Sequence, residues 1–410
     1  MPRLGWWLLL VFLLAMPCLL GTVGSYVVLA LALLCGVALW RPGASSLLRG
    51  QPAVLLFAGA FALLLGAFAT TARTPEDLKY ALNFLPFLLA APVYLVARDH
   101  AGRDAIRWFA VLCLLGAALA LAVAVIEVRY TGHRRAVGSF SNSNVFGRMA
   151  LLLGFLSLSG LFVTRHLLRW LFYLGPVFGV VATVLAGARG AFIALPFMLV
   201  IFAVAFFFQP QARRHLVAFL VVGAICVVVT VTAAHLANLA RFTEMFDLIV
   251  QALTSGTSDD KSTTIRLAFY SAGLAAFIEA PWLGHGWASL ANAAFAQIPA
   301  AEYDAALVRF FHFHSDVVDF GVAAGLVGIL AYAMMIFAPV VGAISSQRGE
   351  LFLVRIYAAT LLTVTYLIFG LTDMTIGYDL PTTSFAILSA VILGSFHTPS
   401  DRDADRAAHP

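Results

Sequence analysis

The chain has 410 residues, 62% of them hydrophobic and 11% charged, with a mean hydropathy of +0.96. Soluble domains carry about 25% charged residues, so a soluble globular protein is excluded and an all-α polytopic membrane protein is implied. The net charge of +5 is no sign of nucleic acid, because the basic residues fall in short connections between apolar runs.

A helix needs roughly 20 apolar residues to cross the hydrocarbon. Runs that meet this are 4–20, 25–40, 53–71, 80–97, 105–128, 144–164, 168–187, 190–208, 215–238, 316–344, 351–371 and 381–397. That predicts about twelve transmembrane helices. The first run, with Arg3 before it, has the form of a secretory leader. The many spans that follow make it a first transmembrane helix instead. Cys18, Cys35, Cys113 and Cys226 all lie inside apolar runs without metal-ligand spacing and read as small core residues.

Fourteen Lys and Arg residues fall on the side of the N-terminus and seven in the opposite short connections, Arg148 and Arg189 among the seven. The positive-inside rule therefore puts both termini in the cytoplasm. The chain divides into helices 1–9 (1–238), a long external loop (239–315), helices 10–12 (316–397) and a polar tail (398–410).

In chain order, the first polar cluster is "RRAVGSFSNSNVFGR" (134–148). Ser143 and Asn144 read as N-capping residues for the next helix. Arg134 and Arg135 add external positive charge. The run 170–212 is too long for one span, so "GARGA" (187–191) should be a tight hairpin with Arg189 at its tip. Arg189 either snorkels to the headgroups or meets an anion. The small neighbours favour the anion, since they let a ligand approach closely, and a guanidinium offers a bidentate fork for phosphate.

The loop opens with an amphipathic stretch, 241–253, suited to a bilayer surface. A polar link, 254–264, leads to a helix at 264–280 with Ser262 or Thr263 as its cap. Arg266 lies in its first turns. "PWLGHGW" (281–287) is a turn that carries His285, and a further helix at about 289–310 leads to "FFHFHSDVVDF". His312 and His314 sit beside Asp316 and Asp319 where the chain re-enters the membrane. A neutral imidazole next to a carboxylate can take a proton from a hydroxyl. A metal held by His285, His312, His314 and Asp316 is the other reading, but no recognised ligand spacing supports it.

An external "GARGA" hairpin, a loop carrying Arg266 and "PWLGHG", and a closing "HFHS" resemble the O-antigen ligase and polymerase superfamily of bacterial envelopes. "VGSFSNSNVFG" (137–147) is similar to that family's glycine and asparagine element. The resemblance covers roughly residues 130–330. The chain departs from the family pattern at Ala188, where Ser or Thr is usual, and at Ser315, where Asn is usual. The resemblance implies a GT-C-like glycosyltransferase architecture in the bacterial inner membrane, with the active site facing the periplasm. The donor would be a glycan on undecaprenyl diphosphate and the acceptor a lipid A-core sugar. Arg189 and Arg266 would clamp the diphosphate and His314 would be the base. His312, His285, Arg134, Arg135 and Asp316 would bind substrate. Neither metal nor cofactor is implied. An O-antigen polymerase and a protein O-oligosaccharyltransferase share the donor. A transporter or lipid flippase is the alternative of another class, disfavoured by the lack of an internal repeat and by the external position of the charges.

Overall fold

The computed structural model describes residues 3–140, 142–164, 167–208, 261–297 and 312–397, with isolated positions between 221 and 232. Every regular element among them is helical. Among the described residues, nine helices are long and apolar enough to span a membrane. They are α2 (Pro17–Trp40), α3 (Pro52–Thr71), α4 (Pro75–Asp99), α5 (Arg103–Arg129), α6 (Ser143–Phe162), α7 (Leu167–Ala186), α8 (Arg189–Phe207), α10 (Asp316–Ser345) and α11 (Phe352–Thr372). Two shorter apolar helices are α1 (Arg3–Ala15) and α12 (Asp379–Ser395). The helix α9 (Lys261–Glu279) belongs to the loop. These eleven apolar helices answer to eleven of the twelve expected spans. The twelfth, 215–238, lies outside the described residues, as do the surface stretch 241–253, most of the link 254–264, the end of the 289–310 helix and the tail 398–410.

Prolines set several starts: Pro17, Pro52 and Pro75 sit at first helical turns, where a missing N–H costs nothing. Thr74 and Asp77 form a reciprocal capping box at the start of α4. The first break in the chain comes at Met16–Pro17, with a second kink at Gly21, earlier than the expected gap at 21–24. α9 starts at Lys261, so Ser262 and Thr263 lie inside it and do not cap it.

Large apolar side chains such as Val23, Leu34, Val37, Val200 and Phe207 face outward. That is the surface a bilayer requires and water would punish. At the centre stand α6 and α12. Every residue of α12 after Asp379 is buried. α6 meets α7 through glycine: a Cβ on Gly154 would come within 2.5 Å of the Gly175 carbonyl oxygen, and one on Gly179 within 2.6 Å of that of Ala150. Small residues let the two backbones touch.

The connections gather at two ends. At one, Arg41 pairs with Asp99 and Arg103 with Glu350. At the other, Ser139 bonds Leu19, Ala136 bonds Leu185 and His314 meets Asp373. α10 is broken at Gly325 (φ 61°, ψ −146°). The turn Pro281–Gly286 docks into the break: His285 and Gly286 donate to Val322 and Ala323, and Leu326 and Val327 donate back to Pro281 and Trp282. Backbone released from a helix at membrane depth needs partners from the protein itself, and this turn supplies them. Side chains on Gly284 or Gly325 would strike backbone at 2.4–2.5 Å.

Candidate functional site

The hairpin "GARGA" forms as expected. α7 ends in left-handed Gly187 (φ 63°), which a glycine adopts without strain, and α8 starts at Arg189. The turn lies against the start of α6 and the end of α11. A Cβ on Gly147 would reach within 2.6 Å of the Ala188 Cβ, and one on Gly190 within 3.0 Å of Thr372 Oγ1. The turn that carries half-buried Arg189 thus lies against Thr372.

His314 is the only non-glycine described residue with positive φ, 56°. Such strain persists only where the surroundings impose it. Asp319 accepts the Phe313 N–H at 2.7 Å, and the Tyr270 hydroxyl on α9 lies 3.2 Å from the His314 carbonyl. Burial raises the Tyr270 phenol, which keeps it a donor. His314 Nδ1 lies 2.8 Å from Asp373 Oδ1. A carboxylate only accepts, so Nδ1 carries a hydrogen, and in the neutral ring the lone pair is on Nε2.

Asp373 is buried, and its other oxygen takes Asn144 Nδ2 at 3.2 Å and faces Arg148 Nη2 at 3.5 Å. Burial alone would raise this carboxyl, but the Arg148 charge and the His314 bond outweigh it and hold it well below the ordinary carboxylate range. Arg148 is 4% exposed and also bonds Thr372. Its Nε and Nη1 are buried with no hydrogen-bond partner among the described residues.

The His312 ring packs edge-on to that of His314, with centroids 4.5 Å apart. His312 Nδ1 accepts the His314 N–H at 3.1 Å, so the neutral ring has its hydrogen on Nε2. Burial, then the neighbouring His314, lowers His312 to about 4. It is therefore neutral at pH 7 and a donor. Arg266, on α9, is near enough for its charge to act on His312, Arg148 and Tyr270.

Of the expected site residues, Arg189, Arg266, His312 and His314 gather at one end of the bundle. The others make different contacts. Asp316 is fully buried and engaged by Thr375 and Ile376, whose N–H groups donate to it at 2.7 and 3.2 Å. It shapes the 373–377 connection and faces no opening. His285 Nε2 bonds the Ala276 carbonyl at 2.7 Å, and its backbone belongs to the latch on α10. Arg134 is exposed, and the Arg135 stem packs against Gly187, 3.4 Å from where a Cβ would stand. The imidazole's orienting carboxylate is Asp373, not Asp316 or Asp319. The cap of α6 is Asn142, which accepts the Asn144 N–H at 2.8 Å. Asn144 instead reaches Asp373. Arg148, Asp373, Asn144 and Tyr270 were not foreseen, although an arginine followed by a long apolar run is a signal in itself.

Residues 174–333 match the family model described as O-antigen ligase. The match spans less than half of the chain and supports a place in the O-antigen ligase and polymerase superfamily. No curated protein matches it. The matched segment carries Arg189, Arg266, His312 and His314, while Arg148 and Asp373 come from outside it. The site is therefore completed by the helices that flank the family segment on both sides.

Proposed function

We propose that the protein is an O-antigen ligase. It transfers a glycan from undecaprenyl diphosphate to a sugar hydroxyl of the lipid A-core at the periplasmic face of the bacterial inner membrane. The observation that carries this reading is the His314–Asp373 pair, set beside the turn of Arg189 and within the field of Arg266. It has the parts of an orienting carboxylate, an imidazole with its lone pair on Nε2, and cations for a leaving group.

In the proposed step, His314 Nε2 takes the proton from the acceptor hydroxyl. The oxygen forms a bond to the anomeric carbon from the face opposite the diphosphate, inverting it. The bond from that carbon to the diphosphate oxygen breaks, and its electron pair leaves with undecaprenyl diphosphate. Arg189 and Arg266 stabilise the charge that gathers there. Asp373, kept ionised by Arg148, holds the imidazole in the correct tautomer and balances the imidazolium. Deleting the gene tests the assignment. Bare core with long polymer left on its lipid carrier is the outcome for a ligase. Core bearing one repeat unit would instead establish a polymerase.

One observation favours a metal: ligand atoms of His312, His314 and Asp373 lie within 4.8 Å of one another. Against it stand the charges of Arg148 and Arg266, which repel a cation, and the bonds that already engage Asp373. The expected result is full activity in EDTA. Loss restored by one divalent cation would establish the metal.

A further inference from the structure

A cleft of about 270 Å³ opens beside His312, lined by His312 but by neither His314 nor Asp373. Its other walls come from three distant parts of the chain: Tyr80 at the start of α4, Trp287 after the latch, and Met374, Tyr378 and Asp379 where α11 leads into α12. Trp287 is fixed in place. Its ring packs edge-on to Phe84 at 5.2 Å and to Phe320 at 5.3 Å, and it is 8% exposed. Gly377 (φ 102°) makes the close approach possible, since a Cβ there would come within 2.7 Å of the Trp287 ring. Tyr378 stands edge-on to His312, with centroids 6.2 Å apart, and is 41% exposed. Asp379 accepts the Tyr26 hydroxyl at 3.0 Å, which leaves acceptor capacity on a carboxylate that lines the cleft.

Among the described residues that line this cleft, the charged one is acidic, Asp379. Its carboxylate repels the phosphates that the arginines attract. Aromatic rings present a negative face to the C–H bonds of a sugar ring, and a carboxylate takes sugar hydroxyls in strong, charge-assisted bonds. Small-molecule sites are mostly apolar with a few such polar groups, and this one is close to the lower end of their size, roughly 300 Å³.

We propose that the cleft formed by Tyr80, Trp287, Tyr378, Asp379 and His312 is the acceptor subsite, holding a neutral pyranose that ends the acceptor glycan. Tyr378 stacks on the ring, and Asp379 and the His312 Nε2–H bind its hydroxyls. The inference rests on the glycosyl-transfer reading above. It adds that donor and acceptor are held by different sets of residues, phosphate by the arginines and sugar by the aromatic rings. The same chemistry fits a lipid A-core sugar or the end of a lipid-linked repeat unit.

The test uses the full chain in nanodiscs with its lipid-linked donor. One arm supplies deacylated, O-antigen-free core oligosaccharide as acceptor, the other a lipid-linked repeat unit. Tyr378→Ala and Asp379→Asn should each raise the acceptor KM about tenfold, the upper end for one such contact, and leave the donor KM unchanged. The arm in which that shift is read identifies the acceptor's source. Tyr378→Phe, which keeps the ring, should raise the acceptor KM less than Tyr378→Ala does. An unchanged acceptor KM in both variants, or an equal rise in donor KM, overturns the subsite while the transferase reading stands. Wild-type protein that transfers to neither acceptor overturns that reading, and the subsite with it.

Discussion

The two ends of this bundle use the same kinds of residue to opposite effect. At the end away from the site, Arg41 pairs with Asp99 and Arg103 with Glu350, and each partner is more than a third exposed. Pairs in water contribute little, about 0–1 kcal/mol. At the site, Arg148 and Asp373 have side chains 5% and 3% exposed, two of the arginine's nitrogens have no partner among the described residues, and His314 sits in a strained conformation. Buried charge of this kind is a poor way to hold a fold together, because desolvation cancels most of the attraction. A protein with inexpensive surface pairs at one end has another reason to keep costly ones at the other. On the reading proposed above, that reason is the orientation of the His314 imidazole.

The sharpest way to break this contrast is His314→Ala. Turnover should fall by about 10³-fold or more, with donor binding retained, as read by transfer assay and by binding of the lipid-linked donor. Near-normal turnover would remove His314 from the chemistry.

Next comes the orienting carboxylate. Asp373→Asn keeps the shape but loses the anion, and should cost about 10²–10³-fold in kcat with a smaller change in donor KM. Asp373→Ala should also destabilise the protein by about 3–5 kcal/mol, since Arg148 is left buried without its counter-ion. A thermal midpoint equal to wild type would show that the Arg148 charge finds relief elsewhere. Arg189→Ala should lower kcat by about 10²-fold, and Arg189→Lys should recover little of it, because a point charge cannot reproduce the bidentate fork.

Acid sharpens the comparison further. His312 has a folded pKa of about 4 against an ordinary 6.5, so the unfolded chain binds its proton first. Stability from this group is complete above about pH 6.5 and is lost as pH falls toward 4. Asp373 is also depressed in the folded state, so its contribution is present above the ordinary 3.8 and lost only in stronger acid. The thermal midpoint should therefore fall between pH 6.5 and 4, and His312→Asn should flatten that fall. The smallest effect belongs to the opposite end. Arg41→Gln or Arg103→Gln should shift stability by less than about 1 kcal/mol, and less still in high salt.

Most of the membrane plan was legible from residue type alone, because apolar runs of span length have few alternatives in a bilayer. The "GARGA" hairpin was legible for the same reason: no single helix could use so long an uncharged run. The break in α10 was not. Hydropathy carries no dihedral information, and Gly325 reads like any other small residue in an apolar stretch. Arg148 was counted as a charge at a helix end, since position along the chain does not tell depth in the bundle. Asp373 lies 59 residues from its histidine. Nothing local distinguishes it from Asp316 and Asp319, which are nearer to His314 in sequence but face Thr375, Ile376 and Phe313.

The latch at Gly325 has a bearing on how substrates arrive. Four main-chain bonds cross between the turn and α10, so the segment from His285 to Trp287 is a shelf bolted to the bundle and not a door. If the acceptor subsite proposed above holds, a sugar must travel to that shelf and settle on it. Traffic would then be governed by how the glycan is delivered along the membrane plane, with the shelf itself standing still.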